Sequence, residues 1–462
     1  MLTTSGFKIK REHLQPHMLK ELNVRPIVGD GFQGAPYFKV YRENSTRIRI
    51  PRFYGQAHYP SFTNDPSIDA CTRISIPFQG ELKTENAQPD ASNTVVNTLR
   101  SKGGGVLSLP TGYGKTTVAL HVVSVIGVKT LIIVHKEFLM NQWIERIKQF
   151  LPSANIGIIR QNKIEVAGKD IVICMLQSLS MKSYDKNVFN GFGMTVIDET
   201  HHICSRTFSC ALFNVCTKYI LGLSATPERK DGLSKVLHWF VGDLCYKVER
   251  DTSKLDIKCE QLKFDCDAYS SIDVPLSVTG RVSVPEIINI VTDIDERNTI
   301  IVDRLKKFLQ EGRKTIVLSD RRRHCEQLLE LLRVEGIEDV GLYMGGMKQL
   351  AMKLSESKSI LLATYSLAQE GLDIPSLDTL ILASPKTDVV QACGRILRTG
   401  GERKHQPYIL DIVDAFSVLP RQAKQRQAFY KKSGFKIICP QSNKKEIEPR
   451  VDNSFKTFSF IL

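Results

Sequence analysis

The sequence predicts an α/β fold of two tandem halves, each a parallel sheet with helices on both faces, behind a small N-terminal accessory region. Three observations carry this prediction. Short apolar runs of strand length alternate with helix-length stretches. The alternation lapses once, near the middle, and then resumes. One Gly-rich loop stands in the first half where a strand would hand over to a helix. The 462 residues, 42% hydrophobic and 24% charged, suffice for two to four domains with substantial cores.

Residues 1–80 hold Pro, Gly and aromatic residues around short β-like runs such as YFKVY and TRIRIPRFYG, and read as an accessory domain. Residues 81–250 form the first half, with GGGVLSL, TLIIVH, DIVICML, MTVIDE and YILGLSAT as its strands. Residues 251–290 are mixed in character and read as a linker or small insertion. The second half, 291–415, repeats the pattern with RKTIVLSD, DVGLYM, KSILLATYS, TLILASP and PYILDIV. Residues 416–462 begin as a basic helix and end in an apolar FSFIL.

Composition narrows the function. No run reaches the about 18 apolar residues of a membrane span, and the first residues, MLTTSGFKIKREHLQPH, lack the apolar core of a signal peptide. An intracellular protein with no membrane partner is expected. The eleven cysteines are scattered and odd in number, which fits reduced thiols. The formal charge of +14 suits a polyanionic partner, although many basic proteins bind no nucleic acid.

SLPTGYGKTTVAL, residues 108–120, carries the first chemistry. Gly112 and Gly114 let successive N–H groups face one oxyanion. Lys115 adds charge for the outer phosphates, and Thr116 offers a hydroxyl to Mg²⁺. With a strand before it and a helix after it, this is a candidate ATP or GTP site. MTVIDETHH then sets Asp198 and Glu199 at the carboxyl end of a strand, where ligands of open α/β sheets bind. Asp198 is expected to hold Mg²⁺, usually through water, and Glu199 to orient and deprotonate the attacking water. His201 and His202 beside Cys204, Cys210 and Cys216 lack zinc spacing, and Cys174 alone between loop and acids argues against an iron–sulfur cluster.

LGLSATPERKDG ends a strand in a hydroxyl-rich turn, where Ser224 and Thr226 can hydrogen-bond the acidic turn and report its state. In the second half, QACGRILR places Gln391, Arg395 and Arg398 on one helix face, with Gly394 allowing close approach. Guanidinium charge on a γ-phosphate promotes phosphoryl transfer, so this face implies a nucleotide clamped between halves. ATYSLAQEGLDIP brings Gly371 and Asp373 toward that cleft, and Thr364 and Ser366 can donate to a nucleic-acid phosphate, as can Gln177 and Ser178. Trp143 reads as a core residue rather than a base-stacking platform.

In their order, LPTGYGKT, DETH, LSATP with ERKDG, EGLDIPSLDTLI and QACGRILR resemble the superfamily 2 DExH helicases, most closely the XPB-like branch and its viral relatives. The resemblance covers about residues 80–415, and YRENSTRIRIPRFYG ahead of it also resembles the late-transcription helicases of large cytoplasmic DNA viruses, the poxvirus and asfarvirus type. It implies two RecA-like domains with ATP and Mg²⁺ between them and a DNA strand across the top. RNA is the alternative strand, and a remodelling subunit that does not separate strands is a further reading. By position it implies that Pro110, Thr111, Gly112, Tyr113, Gly114, Lys115, Thr116 and Thr117 hold the nucleotide, with Gly371, Asp373 and Gln391 opposite. Thr116 and Asp198 would serve the metal, Glu199 hydrolysis, and Arg395 and Arg398 would act as finger and sensor. Ser224, Ala225, Thr226 and His201 would couple nucleotide state to the strand. For the adenine-reading glutamine, LKTENAQ offers Asn86 at the family spacing and Gln88 two places on. The viral likeness implies a transcription or polymerase complex as partner, in host cytoplasm or virion.

Overall fold

The computed structural model describes residues 1–27, 36–229, 231–250, 256–372, 374–397 and 404–439. Its first large sheet runs, from edge to edge, Lys163–Ile164, Ile156–Arg160, Ile171–Met175, Thr130–Val134, Met194–Ile197, Tyr219–Ser224, Gly104–Ser108 and Leu244–Lys247. All neighbours are parallel except the first two. The central strands Gly104–Ser108 and Thr130–Val134 are buried along their whole length, as strands covered by helices on both faces must be. Every strand expected in the first half is present.

The second sheet is parallel throughout, in the order Val340–Tyr343, Ile360–Thr364, Thr315–Ser319, Thr379–Leu382, Tyr408–Asp414, Lys258–Phe264, Lys436–Ile438. This departs from the expected boundaries. Lys258–Phe264 lies in the stretch expected to be a linker, yet it pairs along seven residues with Tyr408–Asp414. Lys436–Ile438, from the expected tail, adds the outer strand. The helix between, Leu419–Lys432, is held by the fully buried Arg426, whose Nε donates to both oxygens of Asp411 at 3.0 Å. The second half therefore draws strands from both sides of 291–415. The FSFIL ending lies outside the described residues.

Within residues 1–27 and 36–69 a small antiparallel sheet, Leu2–Thr3, Gly6–Lys10, Arg47–Ile50 and Arg42–Glu43, lies over a core that includes Phe7, Met18, Leu22, Ile48 and Tyr54. It seats on the first half. Arg52 is buried and donates at 2.8 Å to the carbonyls of Thr217 and Lys218, which precede the strand Tyr219–Ser224.

Candidate nucleotide cleft

The strand Gly104–Ser108 leads through the loop into the helix Lys115–Ile126, whose N-cap is Gly114. Gly112 and Gly114 have φ of 87° and 81°, the left-handed region that glycine enters without penalty. At Gly114 space adds a second demand, because a Cβ there would lie 2.4 Å from Gln88 Nε2. Gln88 is buried, accepts from Lys83 N and donates to the Tyr113 carbonyl, both at 2.9 Å. Of the two candidates for the base-reading amide, Gln88 is thus the one packed under the loop, while Asn86 is buried in the turn before it. Tyr113 N donates to Pro110 O at 3.1 Å, and Lys115 Nζ reaches Leu109 O at 3.3 Å.

The strand Met194–Ile197 lies between Thr130–Val134 and Tyr219–Ser224 and delivers Asp198 and Glu199 beyond its carboxyl end. Asp198 Oδ1 accepts from Glu199 N at 3.0 Å and Oδ2 from Trp143 Nε1 at 2.9 Å. Withdrawal from water and then the Glu199 charge push the Asp198 carboxyl above the usual range, against the pull of Trp143 and Lys115. Glu199 sits at φ 45°, a conformation that side-chain-bearing residues hold only under constraint. Its Oε2 is buried, accepts no hydrogen bond among the described residues and lies 3.5 Å from His201 Nδ1. Trp143 is a core residue, as expected, and also the tether of Asp198.

The link between the acidic turn and LSATP uses other groups than expected. Ser224 Oγ accepts from Thr226 N at 3.1 Å, so both stay within their own turn, with Ala225 between them. Thr200 Oγ1 instead bridges the two strand ends, to Ile197 O at 3.1 Å and Leu223 O at 2.8 Å. Arg229 donates to His201 O at 2.7 Å while gripping Asp231 through Nε at 2.9 Å. Neither residue stands out in the sequence, although the run ERKDG that holds Arg229 does. Gln177 donates to His135 O at 2.5 Å, and Ser178 Oγ accepts from Gln161 N at 2.9 Å.

The second half presents the helix Val390–Ile396 to the loop. A Cβ on Gly394 would lie 3.4 Å from Thr111 Cβ. Next to it Arg395 is buried, with Nη1 donating to Leu372 O at 2.8 Å, and Gln391 is half-buried on the same helix. Arg250 closes the seam, donating through Nη2 to Thr111 O at 2.5 Å and through Nη1 to Leu397 O. Farther along, Lys136 Nζ reaches Ser366 O at 2.9 Å and Lys353 pairs with Glu145 at 2.9 Å. Thr364 is buried and Ser366 exposed, and Gly371 ends the helix Tyr365–Gly371. Asp373 and Arg398 lie outside the described residues.

A loop shaped for phosphates on one RecA-like half, abutted by an arginine-bearing helix of the other, defines a two-domain nucleotide-driven motor. The comparisons place it more narrowly. Residues 81–229 match the family described as type III restriction enzyme, res subunit, and residues 300–400 the helicase conserved C-terminal domain. The chain is 34% identical over 409 residues to "Putative ATP-dependent RNA helicase L396" of Acanthamoeba polyphaga mimivirus, covering 87% of this chain and 77% of that one. It is 26% identical over 365 residues to "Putative ATP-dependent RNA helicase QP509L" of African swine fever virus, covering 74% and 71%. To "Putative helicase 161L" of Invertebrate iridescent virus 6 it is 25% identical over 454 residues, covering 92% and 98%. The chain belongs to the superfamily 2 helicases and is related to those of large DNA viruses; it is an ATP-dependent nucleic-acid helicase.

Proposed function

We propose that the protein hydrolyses MgATP in the cleft between its halves and uses the closing and opening of that cleft to move along DNA, in viral transcription or transcript release. The observation that carries this is the seam at Thr111, where the phosphate loop meets Gly394 and Arg250 of the same closed interface. The residues present fit the nucleotide and its metal. The loop glycines hold the left-handed backbone that a phosphate-cradling loop requires, and Glu199 keeps a buried oxygen that accepts no hydrogen bond among the described residues. Bound MgATP supplies the phosphoanhydride and a divalent charge that neutralises it. Lys115 and the N–H groups of Thr116 and Thr117, at the start of their helix, hold the outer phosphates. Thr116 and Asp198 stand on the metal side, and Glu199 orients water and takes its proton. Arg395 brings positive charge from the second half, and the family pattern QACGRILR assigns the same role to Arg398. Gln391 stands on the same helix, and the family pattern assigns Gly371 and Asp373 to the same side.

Thr200 and Arg229 transmit movement of the acidic turn to LSATP, and from there to the strand face of Gln177, Ser178, Thr364 and Ser366. No helix among the described residues is long and apolar enough to cross a membrane. The viral relatives support a setting in host cytoplasm or virion, with a polymerase complex as partner. A second reading, an RNA-directed motor, is favoured by the printed names of the mimivirus and African swine fever virus relatives. ATPase assays with single-stranded DNA and RNA of the same sequence separate the two. Strong stimulation by DNA alone supports the first reading, and by RNA alone the second. No stimulation by either, with intact basal hydrolysis, contradicts both.

A further inference from the structure

The N-terminal sheet carries an unusual arrangement of charge. In its ladder Lys8 stands opposite Arg49, Lys10 opposite Arg47, and Arg42 opposite Arg49 on the next strand. The residues between them, Phe7, Ile9, Ile48 and Ile50, are buried against Met18, Leu22 and Tyr54, so the alternation of the strands turns all five cations to the other face. Like charges directly opposite each other in an antiparallel pair destabilise the sheet. Arg49 registers the crowding, its guanidinium brought below its usual range by burial first and by Arg42 second.

Neighbouring acids relieve little of this. Glu12 takes Lys10 at 3.0 Å on an exposed edge, and Glu43 is drawn to Arg11 and Lys39. Lys8, Arg47 and Arg49 take part in no ion pair within 4 Å among the described residues, and the Asp65 carboxylate, held mainly by Ser67, feels Lys8 only weakly. Arg42 fixes the inner end of the face, donating to Asn214 Oδ1 at 3.1 Å and Cys210 O at 3.0 Å of the first half. The sheet is thus docked rigidly to the motor, at the edge where Arg52 holds Thr217 and Lys218 before the strand begins. That is the opposite end of the strand from Ser224 and the nucleotide cleft.

We propose that this face, Lys8, Lys10, Arg47 and Arg49 with Arg42 at its root, is a second nucleic-acid contact that grips the phosphodiester backbone of duplex outside the motor cleft. The spacing suits such a ligand. Cations two residues apart on one strand are about 6.6 Å apart, and adjacent strands about 4.8 Å, so the face is a flat grid of positive charge. A phosphodiester backbone offers charge in regular succession and needs no pocket or base edge for such binding. A folded protein partner would call for buried aromatic or apolar anchors at the centre of the patch. The outward positions Lys8, Lys10, Arg47 and Arg49 supply none. The duplex would be relieved of counterions, and the sheet of its internal repulsion. The inference rests on the helicase reading above.

The test uses the full chain and the triple variant K8Q/R47Q/R49Q, with binding to a short DNA duplex and its RNA counterpart measured across salt concentration. The variant is expected to bind duplex at least tenfold more weakly near physiological salt. The slope of log K against log salt should flatten by about 2.7, three phosphate contacts at about 0.9 each. Basal ATPase is expected to stay as in wild type, and the melting temperature to hold or rise, because opposed like charges have been removed. Equal loss on DNA and RNA identifies the shared backbone as the ligand, and loss on one alone identifies that duplex. Unchanged affinity and slope on both overturn the surface but leave the motor reading intact, whereas a wild type that binds no nucleic acid overturns both. A poly-glutamate peptide serves as the protein-like polyanion. If wild type binds it, the variant loses it, and duplex binding does not change, the face belongs to an acidic protein and the proposal fails.

Discussion

Trp143 and Asp198 are 55 positions apart in sequence and joined by one hydrogen bond, indole Nε1 to carboxylate Oδ2 at 2.9 Å. The indole is buried within the core of the first half, so the carboxylate is oriented from below by a group that cannot rotate away. Trp143→Phe keeps most of the volume and removes the donor. Loss of a hydrogen bond to a charged group is worth about 1.5–3 kcal/mol. The variant should therefore fold normally and show kcat for ATP reduced about tenfold or more, with a higher Mg²⁺ requirement. An unchanged Mg²⁺ profile would reduce Trp143 to packing alone.

The contact between Gly394 and Thr111 makes a graded prediction. A Cβ at Gly394 would sit 3.4 Å from Thr111 Cβ and 3.6 Å from its Oγ1, ordinary contact distances. Gly394→Ala should leave ATPase close to wild type. Gly394→Val adds two methyls where the halves meet and should hold the cleft ajar, lowering nucleic-acid-stimulated ATPase at least tenfold with little change in melting temperature. Equal activity in both variants would mean that the halves do not close on this helix during turnover.

Much of this was legible in the sequence because buried parallel strands are written as nearly unbroken apolar runs, and because a phosphate loop needs Gly, Lys and Thr at fixed spacing. Lys258–Phe264 was not legible. Its KCEQLKF mixes polar and apolar residues, and Glu260 and Gln261 are buried in the sheet. They are satisfied by Arg304, 44 residues on, and by Asp411, 150 residues on, and no local pattern announces partners so distant. Arg229 was hidden for the opposite reason. Its run is conspicuous, but a guanidinium reaching a backbone carbonyl 28 residues earlier leaves no mark on spacing.

Arg229 links the acidic turn to LSATP through His201 O and Asp231. Arg229→Ala should leave basal ATPase near wild type but reduce its stimulation by nucleic acid roughly fivefold, the scale of a coupling of about 1 kcal/mol. Arg229→Lys, which cannot hold both partners in the same fork, should restore only part of it. Parallel loss of basal and stimulated rates would show a structural rather than a transmitting role.

His324 gives the second half a pH limit. It is buried between Ser319 Oγ at 3.0 Å and Asn298 Oδ1 at 2.9 Å. Burial, and then Arg297, bring its pKa down to about 3. The native ring is therefore neutral while the unfolded ring, near 6.5, takes up a proton more readily. Its contribution to stability is complete above about pH 6.5 and is lost as pH falls from there toward 3, with a slope of about 1.4 kcal/mol per pH unit. Denaturant midpoints measured between pH 7 and 5 should fall for wild type, and less steeply for His324→Gln. Identical slopes would contradict the assignment.

The most direct measurement is ATP hydrolysis by Glu199→Gln beside wild type, with and without nucleic acid, together with nucleotide binding by each. If Glu199 takes the proton from water in the cleft, the variant should bind ATP as wild type does and hydrolyse it about 10²–10⁴-fold more slowly. Wild-type turnover in the variant, stimulated to the same degree by nucleic acid, would contradict the account.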